Sequence, residues 1–130
     1  MPARLLDNKV AVVGAGAKNL GGLISRELAS VGARVVVHYN SDSTKTNADE
    51  TIAAIKAAGS DAFAIQGDLT QIAQVQRLFD EAVQRFGSID IAVNTAGKVL
   101  KKPYLGTTEA EYDSMFAINS KAAYFFIQEA

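Results

Sequence analysis

VGAGAKNLGG, Val13–Gly22, is the stretch that decides how the rest of the sequence is read. It sets Gly14, Gly16, Gly21 and Gly22 directly behind the apolar run Val10-Ala11-Val12-Val13. A buried strand that opens into a glycine-rich turn and then a helix can cradle phosphate. Glycines let the backbone approach the ligand, and the N–H groups and positive dipole end of the helix face its charge. The spacing is irregular, because a G-x-G-x-x-G pattern counted from Gly14 puts its third glycine at position 19, which is Asn19. Asn tolerates the left-handed conformation better than most non-glycine residues. Asn19 is therefore expected to stand in for a glycine, with Gly21 letting the helix pack close to the strand. An ordinary strand–helix turn could carry the same glycines; the position after the first strand of an alternating chain favours a nucleotide.

That alternation runs through the whole sequence. Lys9–Val13 reads as a buried strand. A helix over Leu20–Val31 follows, with Leu20, Leu23/Ile24, Leu28 and Val31 at helical spacing and Gly32 at its end. Arg34–Tyr39 is a second strand. The polar stretch Asn40–Asn47 opens a helix with Ala48, Ile52 and Ile55 on its apolar side, stopped by Gly59. Asp61–Gln66 is a third strand. Thr70 is the expected N-cap of a helix carrying Ile72, Val75, Phe79, Ala82, Val83 and Phe86 on one face and ending at Gly87. Ile89–Val93 is a fourth strand, followed by a loop from Asn94 to about Thr107. Thr108-Glu109-Ala110-Glu111 matches a capping box at the start of a last helix that runs to Ala130.

A βαβαβαβα order with short connections predicts an α/β fold, a Rossmann-type doubly wound parallel sheet. Right-handed crossovers and a nucleotide loop after the first strand give the strand order 3-2-1-4, with the crevice at the carboxyl ends of strands one and four. Residues 1–130 are read as one dinucleotide-binding domain.

Composition narrows the function. With 48% hydrophobic and 21% charged residues the chain is globular in character. A net charge of −1 offers no basic patch for nucleic acid. Without cysteine and with a single histidine, disulfide scaffolds, thiolate sites and multi-histidine metal sites are excluded, and no metal is expected. No apolar run approaches the ~20 residues of a membrane span. MPARLLDNKV has no signal-peptide pattern, so a cytoplasmic protein is expected.

With these elements in register, the chain resembles the short-chain dehydrogenases/reductases over essentially its whole length, as their amino-terminal half. The family loop reads T-G-x-x-x-G-x-G. Val13–Gly21 aligns with it if one residue is inserted, Asn19 and Gly21 taking the last two glycine places. Val13 replaces the usual Thr and loses a hydroxyl that could bond within the loop. From this segment the resemblance implies cofactor contacts by Gly14, Lys18, Asn19 and Leu20. In GDLT, Gly67–Thr70, it implies that Asp68 accepts from the adenine amino group, with Leu69 beside it. A carboxylate at a helix start is also favoured by the dipole alone, and both roles can hold at once. VNTAG, Val93–Gly97, is similar to the family's N-N-A-G with Thr95 in second place. Asn94 would then fix the central sheet, while Ala96 and Gly97 face the ribose and nicotinamide. FAINSKAAYFF, Phe116–Phe126, is similar to the family helix with a mid-helix Asn, so Asn119 takes the catalytic role. In the family this residue distorts the helix and its carbonyl holds a water in a proton relay; such irregularities often sit at functional sites.

The end of strand two selects between NAD and NADP. A carboxylate there would bind the adenine ribose and repel a 2′-phosphate. Counted from Gly32, the position is Tyr39, and the chain continues with Asn40 and Ser41, all hydroxyl or amide donors. Lys18, and Lys45 further on, can add the positive charge that phosphate recognition uses. NADP(H) is therefore expected. Asp42 argues the other way from three residues beyond Tyr39. His38, alone at a strand end, receives no catalytic role.

The resemblance implies hydride transfer between nicotinamide and a small carbonyl or alcohol substrate, with a Ser and a Tyr-x-x-x-Lys as the remaining machinery. Tyr39, Tyr104, Tyr112 and Tyr124 are followed four residues on by Ser43, Thr108, Phe116 and Gln128, so none begins that motif; it is expected beyond Ala130. The last helix is apolar nearly all round at Met115, Phe116, Ile118, Ala122, Phe125, Phe126 and Ile127, which indicates burial on more than one side. The corresponding family helix lies in subunit interfaces, so a homo-oligomer, dimer or tetramer, is expected. An enoyl-acyl-carrier-protein-type reductase, a non-catalytic dinucleotide-binding module and a scaffold using the last helix are the alternatives.

Overall fold

In the computed structural model, which describes residues 3–130, the valine-rich runs form a parallel sheet. Positions 1 and 2 of the expected domain lie outside the described residues. The strands are β1 (Val10–Gly14), β2 (Arg34–Tyr39), β3 (Ala62–Gln66) and β4 (Ile91–Asn94), in the order β3-β2-β1-β4. This is the expected 3-2-1-4. Val10–Val13 pair with Arg34–Val37, and Ala11–Gly14 pair with Ile91–Asn94. Gly14 is thus brought level with Asn94.

Every residue of β1 is buried, because helices cover both faces. The pleat sends Val10, Val12, Val36, Phe63 and Ile65 to one face and Val13, Val35, Val37 and Ala62 to the other. The first set packs on α3 (Ile72–Phe86) and α5 (Ala122–Glu129), the second on α1 (Asn19–Ser30) and α2 (Lys45–Ala57). Gly32, Gly59 and Gly87 follow the first three helices at φ of 110°, 92° and 86°, the left-handed backbone that a helix-ending glycine supplies. Among the described residues no helix is long and apolar enough to cross a membrane.

Several expectations are corrected. The buried face of α1 is Gly21, Gly22, Ser25 and Ala29, while Leu20 and Leu23 are 63% and 56% exposed. Small residues bring α1 close to the sheet and turn the leucines outward. On α3, Val83 likewise faces out. Thr70 is not the N-cap of α3: that position is Gln71, and the Thr70 hydroxyl instead donates to Asp68 Oδ1 at 2.7 Å. A 3-10 turn, Asp42–Thr44, precedes α2. The fourth strand starts two residues later than expected, because Asp90 is used as a staple: its N–H donates to the Val10 carbonyl and its carboxylate accepts from Val10 N–H. The last helix runs unbroken from Glu109 to Glu129 but is not α-helical throughout. α4 (Glu109–Phe116) and α5 are joined by a π-helical turn over Ala117–Lys121, and in these two helices only Ala122 and Phe126 are buried.

Candidate cofactor-binding site

The glycine turn is built on two left-handed residues, Ala15 at φ 54° and Asn19 at φ 53°. Asn19 thus adopts the conformation expected of a glycine substitute. Ala15 does the same, which its side chain gave no reason to expect. Lys18 is the N-cap of α1 and makes no side-chain cap. The first-turn N–H groups of a helix have no intrahelical partner, and here no side chain covers them.

Close approach sets the glycines. A Cβ on Gly21 would lie 1.9 Å from the Ala15 carbonyl oxygen, and one on Gly14 would lie 2.7 Å from Asn94 Oδ1. Side chains from elsewhere then tie the turn down. The buried Ser25 hydroxyl is within hydrogen-bond distance of the Gly16 and Gly21 carbonyls, both at 2.9 Å. Thr51 donates to the Ala17 carbonyl at 2.7 Å. Thr95 Oγ1 lies 2.7 Å from the Gly14 carbonyl and 3.2 Å from that of Ala15. A hydroxyl from the end of the neighbouring strand β4 thus reaches the turn, where Val13 has none.

At the end of β4, Asn94 Oδ1 accepts from Ala96 N–H at 3.0 Å. Asn119 makes a reciprocal pair with Lys98: its Oδ1 accepts from Lys98 N–H and its Nδ2 donates to the Lys98 carbonyl, both at 2.9 Å. The π turn that carries Asn119 is the helix irregularity the resemblance implied. Its side chain thereby fixes the segment after Gly97, a use that spacing alone did not reveal.

Lys18, Asn19, Leu20, Ala96 and Gly97 come together with Ala15, Gly21 and Thr95 around a recess of about 240 Å³ at the carboxyl ends of β1 and β4. A second recess, of about 430 Å³, is lined at the ends of β2 and β3 by Asn40, Gln66, Gly67 and Asp68, with Gln74 and Arg77 of α3. Gly14 lies buried beneath the first. Leu69 does not present its side chain: the residue is 3% exposed and packs in the core. Asp68 Oδ1 accepts from the N–H and hydroxyl of Thr70, so this carboxylate organises its own turn.

Around the end of β2, Tyr39 packs partly into the core against α1 and α2. Asn40 is exposed, and the Ser41 hydroxyl lies 2.8 Å from that of Ser43. Asp42 is engaged by Gln66 Nε2 at 3.2 Å. Lys45 pairs with Asp49 at 2.9 Å, and that hydrogen bond raises its pKa. Its charge is thereby drawn along α2, whereas Lys18 is exposed beside the turn and forms no ion pair among the described residues.

His38 lies between the two recesses. It is 2% exposed; Nδ1 accepts from Ala15 N–H at 2.9 Å, and Nε2 lies 2.7 Å from the Gly67 carbonyl. Burial pushes its pKa below the ordinary imidazole value, against the raising effects of the Gly67 hydrogen bond and the Asp68 charge.

The parallel sheet and the glycine turn have the architecture of a dinucleotide-binding half-domain. A family profile described as short chain dehydrogenase matches residues 9–130, and the chain belongs to that family. It is 42% identical over 127 residues to hydroxynaphthalene reductase-like protein Arp2 of Metarhizium majus, covering 98% of this chain and 47% of that protein. A dehydrogenase from Burkholderia cenocepacia, solved with bound NADP, superposes with a TM-score of 0.94 at 57% identity, over 100% of this chain and 49% of its own. A blue fluorescent protein from a metagenomic library, solved in complex with NADPH, superposes with a TM-score of 0.91 at 36% identity, over 96% and 51%. The chain spans about half the length of the curated relatives it matches.

Proposed function

We propose that this chain forms the cofactor-binding half of an NADPH-dependent oxidoreductase acting on a carbonyl or alcohol substrate. The observation that carries the reading is the pairing of an uncapped helix start behind a left-handed glycine turn with a β2 end free of carboxylate at Tyr39, Asn40 and Ser41. Asp42, the acid that follows these three in sequence, is taken up by Gln66. NADP in the Burkholderia relative and NADPH in the metagenomic one support the same choice. The bound nicotinamide would supply the hydride. Lys18, Asn19 and Leu20 would hold the pyrophosphate; Tyr39, Asn40 and Ser41 the adenosine phosphate; Asp68 and the Leu69 backbone the adenine. Asn94, Ala96 and Gly97 would shape the ribose and nicotinamide side. Asn119 would hold the Lys98 segment and lend its carbonyl to proton relay. The reading requires a proton donor outside these 130 residues, of the family's Tyr-x-x-x-Lys type.

Titration of the intact protein with NADPH and NADH tests this, with tighter NADPH binding expected; equal affinity overturns the NADP choice. Carbonyl-dependent NADPH oxidation then separates an enzyme from a non-catalytic binding module. We also propose self-association through α4 and α5, where Tyr112, Phe116, Tyr124 and Ile127 are 55–72% exposed. Light scattering is expected to show a dimer or tetramer that Phe116→Asp shifts toward monomer.

A further inference from the structure

His38 holds the glycine turn at two successive amides. Its carbonyl accepts from Gly16 N–H at 2.9 Å, and its ring accepts from Ala15 N–H at the same distance. Ala15 is one of the two left-handed, non-glycine residues of the turn. On the other side of the ring is the Gly67 carbonyl, in the wall of the second recess. These partners settle the tautomer. An amide N–H can only donate, so Nδ1 carries no proton; a carbonyl can only accept, so Nε2–H donates to it. The ring is neutral and spans the walls of both recesses.

We propose that His38 is a positioning residue for the cofactor, its neutral ring holding the phosphate turn in register with the adenosine side and its protonation releasing that turn. The proposal rests on the NADP(H) reading above. A second proton can go only to Nδ1, where it would face the Ala15 N–H, donor against donor, and the amide would lose its acceptor in a site with 2% exposure. Asp68 is the charged side chain that acts on the ring, and it favours protonation. Lys18 on the turn is exposed, Arg26 of α1 is directed to Thr51 at 3.4 Å, and Arg77 of α3 to the Gln66 carbonyl. None of these compensates the Ala15 amide. Because the folded pKa is depressed, the unfolded state takes up the proton first, so the stabilisation is present above the ordinary imidazole value and is lost as pH falls toward the folded one. Cofactor affinity falls in the same direction but further toward acid, as the folded ring itself takes up its proton.

The test is calorimetric titration of NADP+ into the intact protein from about pH 8 down to the acid limit of the folded state, for the wild type, His38→Asn and His38→Phe. Asn keeps an acceptor for the Ala15 amide and has no titrating proton. At the alkaline end Asn is expected to bind like the wild type. Toward acid, the wild type is expected to lose affinity relative to Asn, approaching a tenfold loss per pH unit. Protonation of the cofactor's 2′-phosphate affects both proteins and cancels in the ratio. Phe, which lacks both hydrogen bonds, is expected to bind more weakly throughout. A constant ratio of wild type to Asn overturns the proposal, as does a Phe variant that binds like the wild type. If a variant does not fold, nitrogen NMR of the wild-type imidazole with and without NADP+ decides: a ring that protonates at lower pH with NADP+ bound upholds it, and a titration that NADP+ leaves unchanged, or a proton on Nδ1 at neutral pH, overturns it. A wild type that binds no NADP+ at any pH overturns the cofactor reading itself, a distinguishable failure.

Discussion

Gly21 has room for no side chain, because the atom a Cβ would strike at 1.9 Å is a backbone carbonyl that cannot swing aside. Gly21→Ala is expected to lower unfolding free energy in urea by about 1–3 kcal/mol, the usual range for forced overpacking, and to weaken NADPH binding. Thr95 makes the complementary case. Thr95→Val leaves the Gly14 and Ala15 carbonyls without their hydroxyl and is expected to cost about 1 kcal/mol in the same measurement; Thr95→Ser, which keeps the hydroxyl, should recover most of it. At this scale the residue types of the site were legible and their partners were not. Asn19 could be read as a glycine substitute from its own chemistry. That the Thr95 hydroxyl reaches the Gly14 and Ala15 carbonyls follows only from the pairing of Gly14 with Asn94. The bridging use of His38 was missed for the same reason, since neither Ala15 nor Gly67 is its neighbour in sequence.

Elements were legible where their signals are local. The capping box is one: Thr108 accepts from Glu111 N–H, and Glu111 accepts from Thr108 N–H. Thr108→Ala is expected to destabilise the start of α4 by about 1 kcal/mol, read as faster amide exchange there. Glu111 also receives Lys102 Nζ, and that hydrogen bond, followed by the one from Thr108, holds its carboxyl below the ordinary carboxylate range. The depressed folded pKa means that this contribution is present above the ordinary value and is lost as pH falls through the folded one. Acid is therefore expected to lower the protection factors at the start of α4, measured against the intrinsic exchange rate at each pH, and Glu111→Gln to show no such acid dependence. Hydrophobic periodicity was a poorer guide to orientation. On α1 it favoured Leu20 and Leu23, yet the glycine, serine and alanine stripe turns inward, because contact distance rather than hydrophobicity selects that face. The π turn had no periodic signature; it was foreseen through the resemblance around Asn119 alone.

Across the whole molecule, α5 supports the first turn. Phe126 is 1% exposed, meets Phe79 edge to face at 5.0 Å, and sits 3.1 Å from where a Gly14 Cβ would be. Phe126→Ala is expected to cost about 3–5 kcal/mol and to loosen NADPH binding through Gly14, so thermal unfolding and cofactor titration should fall together. The sequence by itself determined the alternation of strands and helices, the strand order through crossover handedness, the glycine-rich turn at Val13–Gly22 and the absence of acid at Tyr39. These depend on local pattern and on a general chirality rule. Only the tertiary structure decided that Thr95, Ser25 and Thr51 bind the turn, that Asn119 holds Lys98, that Leu69 is turned inward and that His38 joins the two recesses. The physical reason is register: parallel strands place their carboxyl ends side by side, and which amide meets which acceptor depends on an alignment that no single stretch of sequence contains.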